Sequence, residues 1–119
     1  MHEMSVAESL IETITAEAKK VNAKPVSATI SCGQLNPIND EAMKFACEVV
    51  TKDTICEGMG INVVHVPWRG TCRKCDEVFD FDVYSPKCPK CDSDQFDMAE
   101  DAPLLLDEIE FDENCPVNE

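Results

Sequence analysis

The sequence predicts an α+β fold in which two helices pack on a three-stranded sheet and a small four-cysteine module is inserted before the last strand. Three observations lead there. Two segments in the N-terminal half carry apolar residues at helical spacing, and each is followed by a segment that reads as a strand. Cys72-Arg-Lys-Cys75 and Cys88-Pro-Lys-Cys91 form two Cys-x-x-Cys pairs separated by twelve residues. A last strand stands beyond them with no partner in so small a module, so its partners must lie in the first part of the chain.

Taken in order, Ser5 followed by Glu8 reads as a capping box that opens a helix running to about Asn22. Val6, Leu10, Ile14, Ala18 and Val21 form its apolar stripe, and Lys19 and Lys20 close its last turn, where the helix dipole favours cations. After Lys24-Pro25, residues 26–32 alternate apolar and small polar side chains up to Gly33, as a half-buried strand does. Pro37 and Asn39-Asp40 mark a turn and an N-cap for a second helix, with Ala42, Phe45, Ala46, Val49 and Val50 as its apolar stripe up to about Lys52. Gly58 and Gly60 then break the chain, and the β-branched run 61–66 is a second strand ending at Pro67. His65 shares the Ile61 and Val63 face and is read as structural.

Between the cysteine pairs, residues 78–84 alternate as a short strand. Pro103 opens the last one, with Leu105, Asp107, Ile109 and Phe111 on one face and Leu106, Glu108 and Glu110 on the other. Pairing this strand with those at 26–32 and 61–66 completes the sheet, and the cysteine module becomes an insertion. The division is therefore 1–69 plus 100–119 for the α/β domain and 70–99 for the inserted one.

The 119 residues, 44% of them apolar, suffice for one small core plus a smaller module. Charge is uneven: residues 1–75 hold nine acidic and eight basic side chains, residues 76–119 fifteen and two. Such a surface repels phosphate backbones, which argues against nucleic acid, and would attract cations or a basic partner. No basic segment followed by an apolar run opens the chain, and nothing approaches the roughly 20 apolar residues of a membrane span. No membrane is expected, and the protein is expected to be cytoplasmic.

In a reducing compartment the paired cysteines are better read as metal ligands than as disulfides, and Cys32, Cys47, Cys56 and Cys115 as small core residues. Cys72, Cys75, Cys88 and Cys91 fit a structural zinc(II) site of zinc-ribbon type. A rubredoxin-like iron site and redox-active pairs are the alternatives. Four thiolates leave no open position for water or substrate, so Lewis-acid catalysis is not expected. The phosphate-loop, dinucleotide and His-Glu-x-x-His motifs are missing, and no enzyme is expected.

His2 has its own chemistry. A histidine in second place offers its imidazole, its backbone nitrogen and the terminal amine of Met1 as a fused chelate, which a square-planar ion such as nickel(II) accepts. The fourth donor could be the Glu3 amide or carboxylate, His65, or a group from a partner. A frayed terminus is the bland alternative.

Met1-His2-Glu3-Met4-Ser5, Gly33-Gln-Leu35, Glu41-Ala-Met-Lys-Phe-Ala46, Glu48-Val-Val-Thr-Lys52, Thr54, Glu57-Gly58 and the two cysteine pairs together resemble the HypA/HybF family, nickel metallochaperones of [NiFe]-hydrogenase maturation. The resemblance covers nearly the whole chain. It implies a nickel-binding domain of two helices on a three-stranded sheet, nickel(II) held as transient cargo at Met1, His2 and Glu3, and zinc at Cys72, Cys75, Cys88 and Cys91. It implies a HypB-type GTPase and the hydrogenase large-subunit precursor as partners, with urease maturation factors served in some organisms. This sequence departs from the family at Cys32, often aliphatic there, and at Cys47. It also lacks the zinc-domain histidine that completes the nickel site in some members. A zinc-ribbon adaptor that recruits partners through its acidic half and carries no nickel is the rival reading.

Overall fold

The computed structural model describes residues 3–35 and 37–118. Helix α1 spans Glu3–Val21, β1 Lys24–Cys32, α2 Asp40–Thr51, β2 Gly60–His65, β3 Trp68–Cys72, β4 Val78–Phe81, β5 Phe96–Met98 and β6 Leu105–Asp112. They form two three-stranded sheets, ordered β2-β1-β6 and β4-β3-β5. The second sheet lies in the chain between β2 and β6, so it is an insertion, as expected.

Strand β1 is the centre of the first sheet. It pairs in parallel with β2, from Ser27 opposite Gly60 to Cys32 opposite His65, and α2 supplies the crossover that a parallel pair needs. On its other side it pairs antiparallel with β6. Ala28, Ile30 and Cys32 of β1 and Ile61 of β2 face Leu10, Ile11 and Ile14 of α1 and Met43, Ala46 and Cys47 of α2, all buried in one cluster. Ile14, Ile30 and Met43 are wholly shielded, and burial of such side chains contributes about 1.5–3 kcal/mol each.

Local chemistry sets the ends of the helices. Asn39 is extended and its Oδ1 accepts from the Ala42 N–H at 2.9 Å, the N-cap that the sequence indicates. Asn22, at φ 53°, ends α1 in the left-handed region, and its Oδ1 accepts from the N–H groups of Val117 and Asn118 at 3.1 and 2.8 Å, tying down the C-terminal tail.

Four details differ from the sequence reading. Helix α1 starts at Glu3, so Ser5 lies inside the first turn and is not a cap. On α2 the buried side chains are Met43, Ala46, Cys47 and Thr51, whereas Phe45 and Val49 are 64% and 50% exposed. That helix is apolar over most of its circumference, so periodicity alone cannot choose its inward face. In β6 a bulge leaves Asp107 without a partner, since Ile30 sits opposite Leu106 and Thr29 opposite Glu108. The extra residue shifts the alternation, and Leu106 and Ile109 reach the core together while Leu105 turns outward. The strand expected over 78–84 stops at Phe81, because Asp82 Oδ1 accepts from the Tyr84 and Ser85 N–H groups and turns the chain.

One short segment receives both connections of the insertion. The Cys32 carbonyl accepts from the Val66 N–H at 2.8 Å, and Gln34 Nε2 donates to the Val66 carbonyl at 2.9 Å. On the return path the Asp101 carboxylate accepts from the N–H groups of Gln34 and Leu35 at 2.8 and 3.0 Å. Gly33 makes this possible, because a Cβ there would lie 2.3 Å from Asp101 Oδ2 and 2.5 Å from the Ala102 carbonyl.

In chemical denaturation, Met43→Ala is expected to cost about 2–5 kcal/mol, whereas Phe45→Ala stays within about 0.5 kcal/mol. Equal losses would place Phe45 in the core. Gly33→Ala is expected to cost about 1–3 kcal/mol, because the added methyl meets backbone and carboxylate atoms.

Candidate metal centre

The second sheet owes its shape to two copies of one turn. In the first, the Asp76 N–H donates to the Cys72 carbonyl at 3.0 Å and the Cys72 N–H to the Glu77 carbonyl at 2.9 Å. In the second, the Asp92 N–H donates to the Cys88 carbonyl and the Cys88 N–H to the Ser93 carbonyl, at 2.9 and 2.8 Å. Asp76 and Asp92 both adopt the left-handed conformation, at φ 60° and 63°, which folds each chain back past its thiols. Aspartate tolerates that region better than most residues with a side chain.

Strand β3 joins the turns to the sheet. It pairs with β4 from Trp68 opposite Phe81 to Thr71 opposite Val78, and with β5 from Gly70 opposite Met98 to Cys72 opposite Phe96. The sequence reading missed both β3 and β5. Gly70 in β3 carries no side chain to alternate, and β5 is only three residues long. The glycine has a packing reason: a Cβ would lie 2.7 Å from the Phe96 ring. Phe96 stacks edge-on against Phe79 and Phe81, with ring centres 5.2 and 4.9 Å away, and Trp68 lies 5.9 Å from Phe81.

These turns bring together the four thiols singled out in the sequence. The Sγ atoms of Cys72, Cys75, Cys88 and Cys91 all lie within 4.8 Å of one another, with Cys72 3.4 Å from Cys91 and Cys75 3.6 Å from Cys88. A tetrahedral ion with metal–sulfur bonds of about 2.3 Å holds its sulfurs about 3.8 Å apart, so the cluster fits such an ion with small adjustments. Electrostatics favour it too. The Cys75 backbone N–H, and then that of Lys74, bring the Cys72 thiol down to about 7 despite burial. At Cys75 the Glu77 N–H pulls downward, but burial and the thiols of Cys72, Cys88 and Cys91 outweigh it and push the group up to about 12. Cys91 is also raised: contact with Cys72 and burial overcome the Ser93 N–H. One thiolate at the cluster thus opposes the next, and a divalent cation removes that opposition.

Four of the five cations of this module are engaged in exposed ion pairs, Arg69 with Asp80, Arg73 with Asp97, Lys87 with Asp92 and Lys90 with Glu77. Each contributes little to stability.

Met1 and His2 lie outside the described residues. Glu3 is the first residue of α1, and its Oε1 accepts from the Asn39 N–H at 3.2 Å, so the start of α1 is fastened to the N-terminus of α2. At that same end stands a constellation that sequence reasoning did not assemble. His65, exposed at the end of β2, places Nε2 2.6 Å from Asp40 Oδ1 and Nδ1 3.4 Å from Cys32 Sγ. The three come from α2, β2 and β1, and only the parallel register of Cys32 opposite His65 brings them together. Cys47 and Cys56 are buried in the core, as expected, and burial raises the Cys47 thiol. Among the described residues no helix is long and apolar enough to cross a membrane.

A family model described as hydrogenase/urease nickel incorporation, metallochaperone, hypA, matches residues 1–111. A hydrogenase maturation factor HypA of Dechloromonas aromatica is 31% identical over 112 residues, covering 93% of this chain and 99% of that one. The hydrogenase maturation factor HybF of Escherichia coli K12 is 27% identical, covering 92% and 98%. Among solved structures, the nickel metallochaperone HypA of Helicobacter pylori shares the fold at a TM-score of 0.59 and 24% identity, over 93% of this chain and 97% of that one.

For an ion held by the four thiols, removal with a chelator is expected to shift the emission of Trp68, the only tryptophan, to the red as the second sheet loosens. The far-ultraviolet helix signal should stay, because α1 and α2 pack on the other sheet. A simultaneous loss of both would show one cooperative unit. Acid should release the ion in the same way, since protons compete for the thiolates.

Proposed function

The chain belongs to the HypA family of hydrogenase/urease nickel-incorporation metallochaperones, and from that premise we propose that it binds nickel(II) at its N-terminus and hands it to the large-subunit precursor of [NiFe]-hydrogenase with a HypB-type GTPase. The family is one of metallochaperones and not of enzymes. The observation that carries this reading is the span of the match, residues 1–111, which takes in Met1-His2-Glu3 and all four cysteines in one chain.

In this reading the terminal amine, the His2 nitrogens and the neighbouring Glu3 hold nickel(II) in a square-planar set. Delivery needs a chelate that can be dismantled, and donors drawn from two or three consecutive residues at a chain end can be replaced one at a time by a partner's ligands. Glu3 supports it from within the fold: its bond to the Asn39 amide fixes where the chain leaves α1. Residues 1–69 with 100–119 serve as the nickel domain and residues 70–99 as the zinc domain.

Cys72, Cys75, Cys88 and Cys91 hold the zinc(II). The ion supplies a cross-link between the two turns, worth roughly 10–16 kcal/mol of apparent binding free energy in modules of this kind. The buried apolar cluster of that module is small, Cys72, Phe79 and Cys88 with three partly buried neighbours, which is why it needs the ion. Hydrolysis of GTP belongs to the partner. The working compartment is the cytoplasm, consistent with eight free cysteines.

Nickel titration of untagged, zinc-loaded protein tests the terminal site against His2→Ala and a variant with one residue added before Met1. Both changes are expected to weaken the tighter nickel equivalent by more than about tenfold, or 1.4 kcal/mol. Equal binding in all three proteins would overturn the terminal site, and no specific nickel uptake in any of them would favour a zinc-ribbon adaptor. The extension is the sharper control, because it blocks the amine and leaves every side chain in place.

A further inference from the structure

The Cys32, His65 and Asp40 constellation has the parts of a metal site. Asp40 is a carboxylate, an acceptor only when ionised, so the 2.6 Å contact requires the proton to sit on His65 Nε2. A neutral imidazole protonated there has its lone pair on Nδ1, and Nδ1 is the atom that meets Cys32 Sγ at 3.4 Å. A carboxylate that holds one ring nitrogen so that the other can bind a metal is a recurring outer-shell arrangement around ligating histidines.

We propose that Cys32 and His65 form a second, nitrogen–sulfur metal site for a borderline divalent cation such as nickel(II), with Asp40 orienting the imidazole. With bonds of about 2.05 Å to nitrogen and about 2.3 Å to sulfur, the 3.4 Å separation subtends about 100° at the ion, between the square-planar and tetrahedral angles. Cys32 is 1% exposed, whereas the His65 and Asp40 side chains are 38% and 51% exposed. The ion therefore enters from the exposed imidazole side.

Binding exchanges one bond for another. The Cys32 S–H proton leaves to solvent, the sulfur–metal bond forms, and the imidazole stays neutral with its Nε2 proton on Asp40. No oxidant or reductant is involved, and one proton is released per ion. Solvent or further donors fill the remaining positions. Glu3 reaches the same end of α2 through Asn39, so the pair stands beside the start of α1 and does not draw on the terminal chelate for its donors.

The test is a nickel(II) titration of zinc-loaded protein followed in the near-ultraviolet for thiolate-to-nickel charge transfer, with zinc content monitored at one ion per chain. A charge-transfer band is expected in the unmodified protein and in His2→Ala. It should be lost in Cys32→Ala and in His65→Asn, the second of which changes an exposed side chain and leaves the core untouched. Asp40→Asn should keep the band and weaken the apparent affinity by about 10–100-fold. No band in the unmodified protein, or one that survives both Cys32→Ala and His65→Asn, would overturn the site. A band that disappears in His2→Ala would overturn its independence from the terminus, while loss of the tighter equivalent in His2→Ala with the band intact leaves both sites standing.

Discussion

Strand β1 needs a partner along each of its edges, and this requirement shapes the chain. The strand lies at the centre of the core, with Ala28, Ile30 and Cys32 all buried, and its backbone groups cannot be left without partners there. One edge is filled by β2, which arrives in parallel after the α2 crossover. The other is filled by β6, which arrives antiparallel from the far end of the sequence. Everything between β2 and β6 must therefore leave the sheet and return to it, and a module closed by its own cysteines can do so without adding to the first core.

The two halves reach stability by different physics. The first buries a contiguous apolar cluster from two helices and a sheet. The second buries chiefly Cys72, Phe79 and Cys88, and otherwise relies on paired turns, an aromatic cluster over Gly70 and four converging thiols. Four of its five basic residues are engaged with its own carboxylates, so little positive charge is left to face a partner, and Glu108 and Glu110 of β6 add to the acidic surface.

What the sequence could disclose follows from how local each feature is. The Cys-x-x-Cys turns are written in consecutive residues, so their convergence was legible. The same holds for the strands around β1 and for the Asn39 cap. Features that depend on the tertiary partner were not. Helix α2 has apolar residues on most sides, and only its packing on α1 and the sheet decides that Met43 turns inward and Phe45 outward. The bulge at Asp107 is set by the register against β1 and cannot be read from alternation. Cys32, Asp40 and His65 stand 25 and 33 residues apart in their contacts, and each alone looks like an ordinary core, cap or strand residue. The left-handed aspartates after each cysteine pair were readable in principle, since the chain must reverse there. The expected nickel residues Met1 and His2 fall outside the described residues, and Glu3 is the one member of that trio within them.

The clasp at residues 32–35 has an architectural consequence. The outgoing chain at Val66 and the returning chain at Asp101 are both bound by Gln34, one through its side chain and one through its backbone. Entrance and exit of the insertion are thus within reach of a single residue. The first sheet does not need the metal module to bridge a gap, and the module behaves as a cassette: a short turn between Val66 and Asp101, or a different domain with closely spaced ends, could occupy its place while β1 keeps both neighbours.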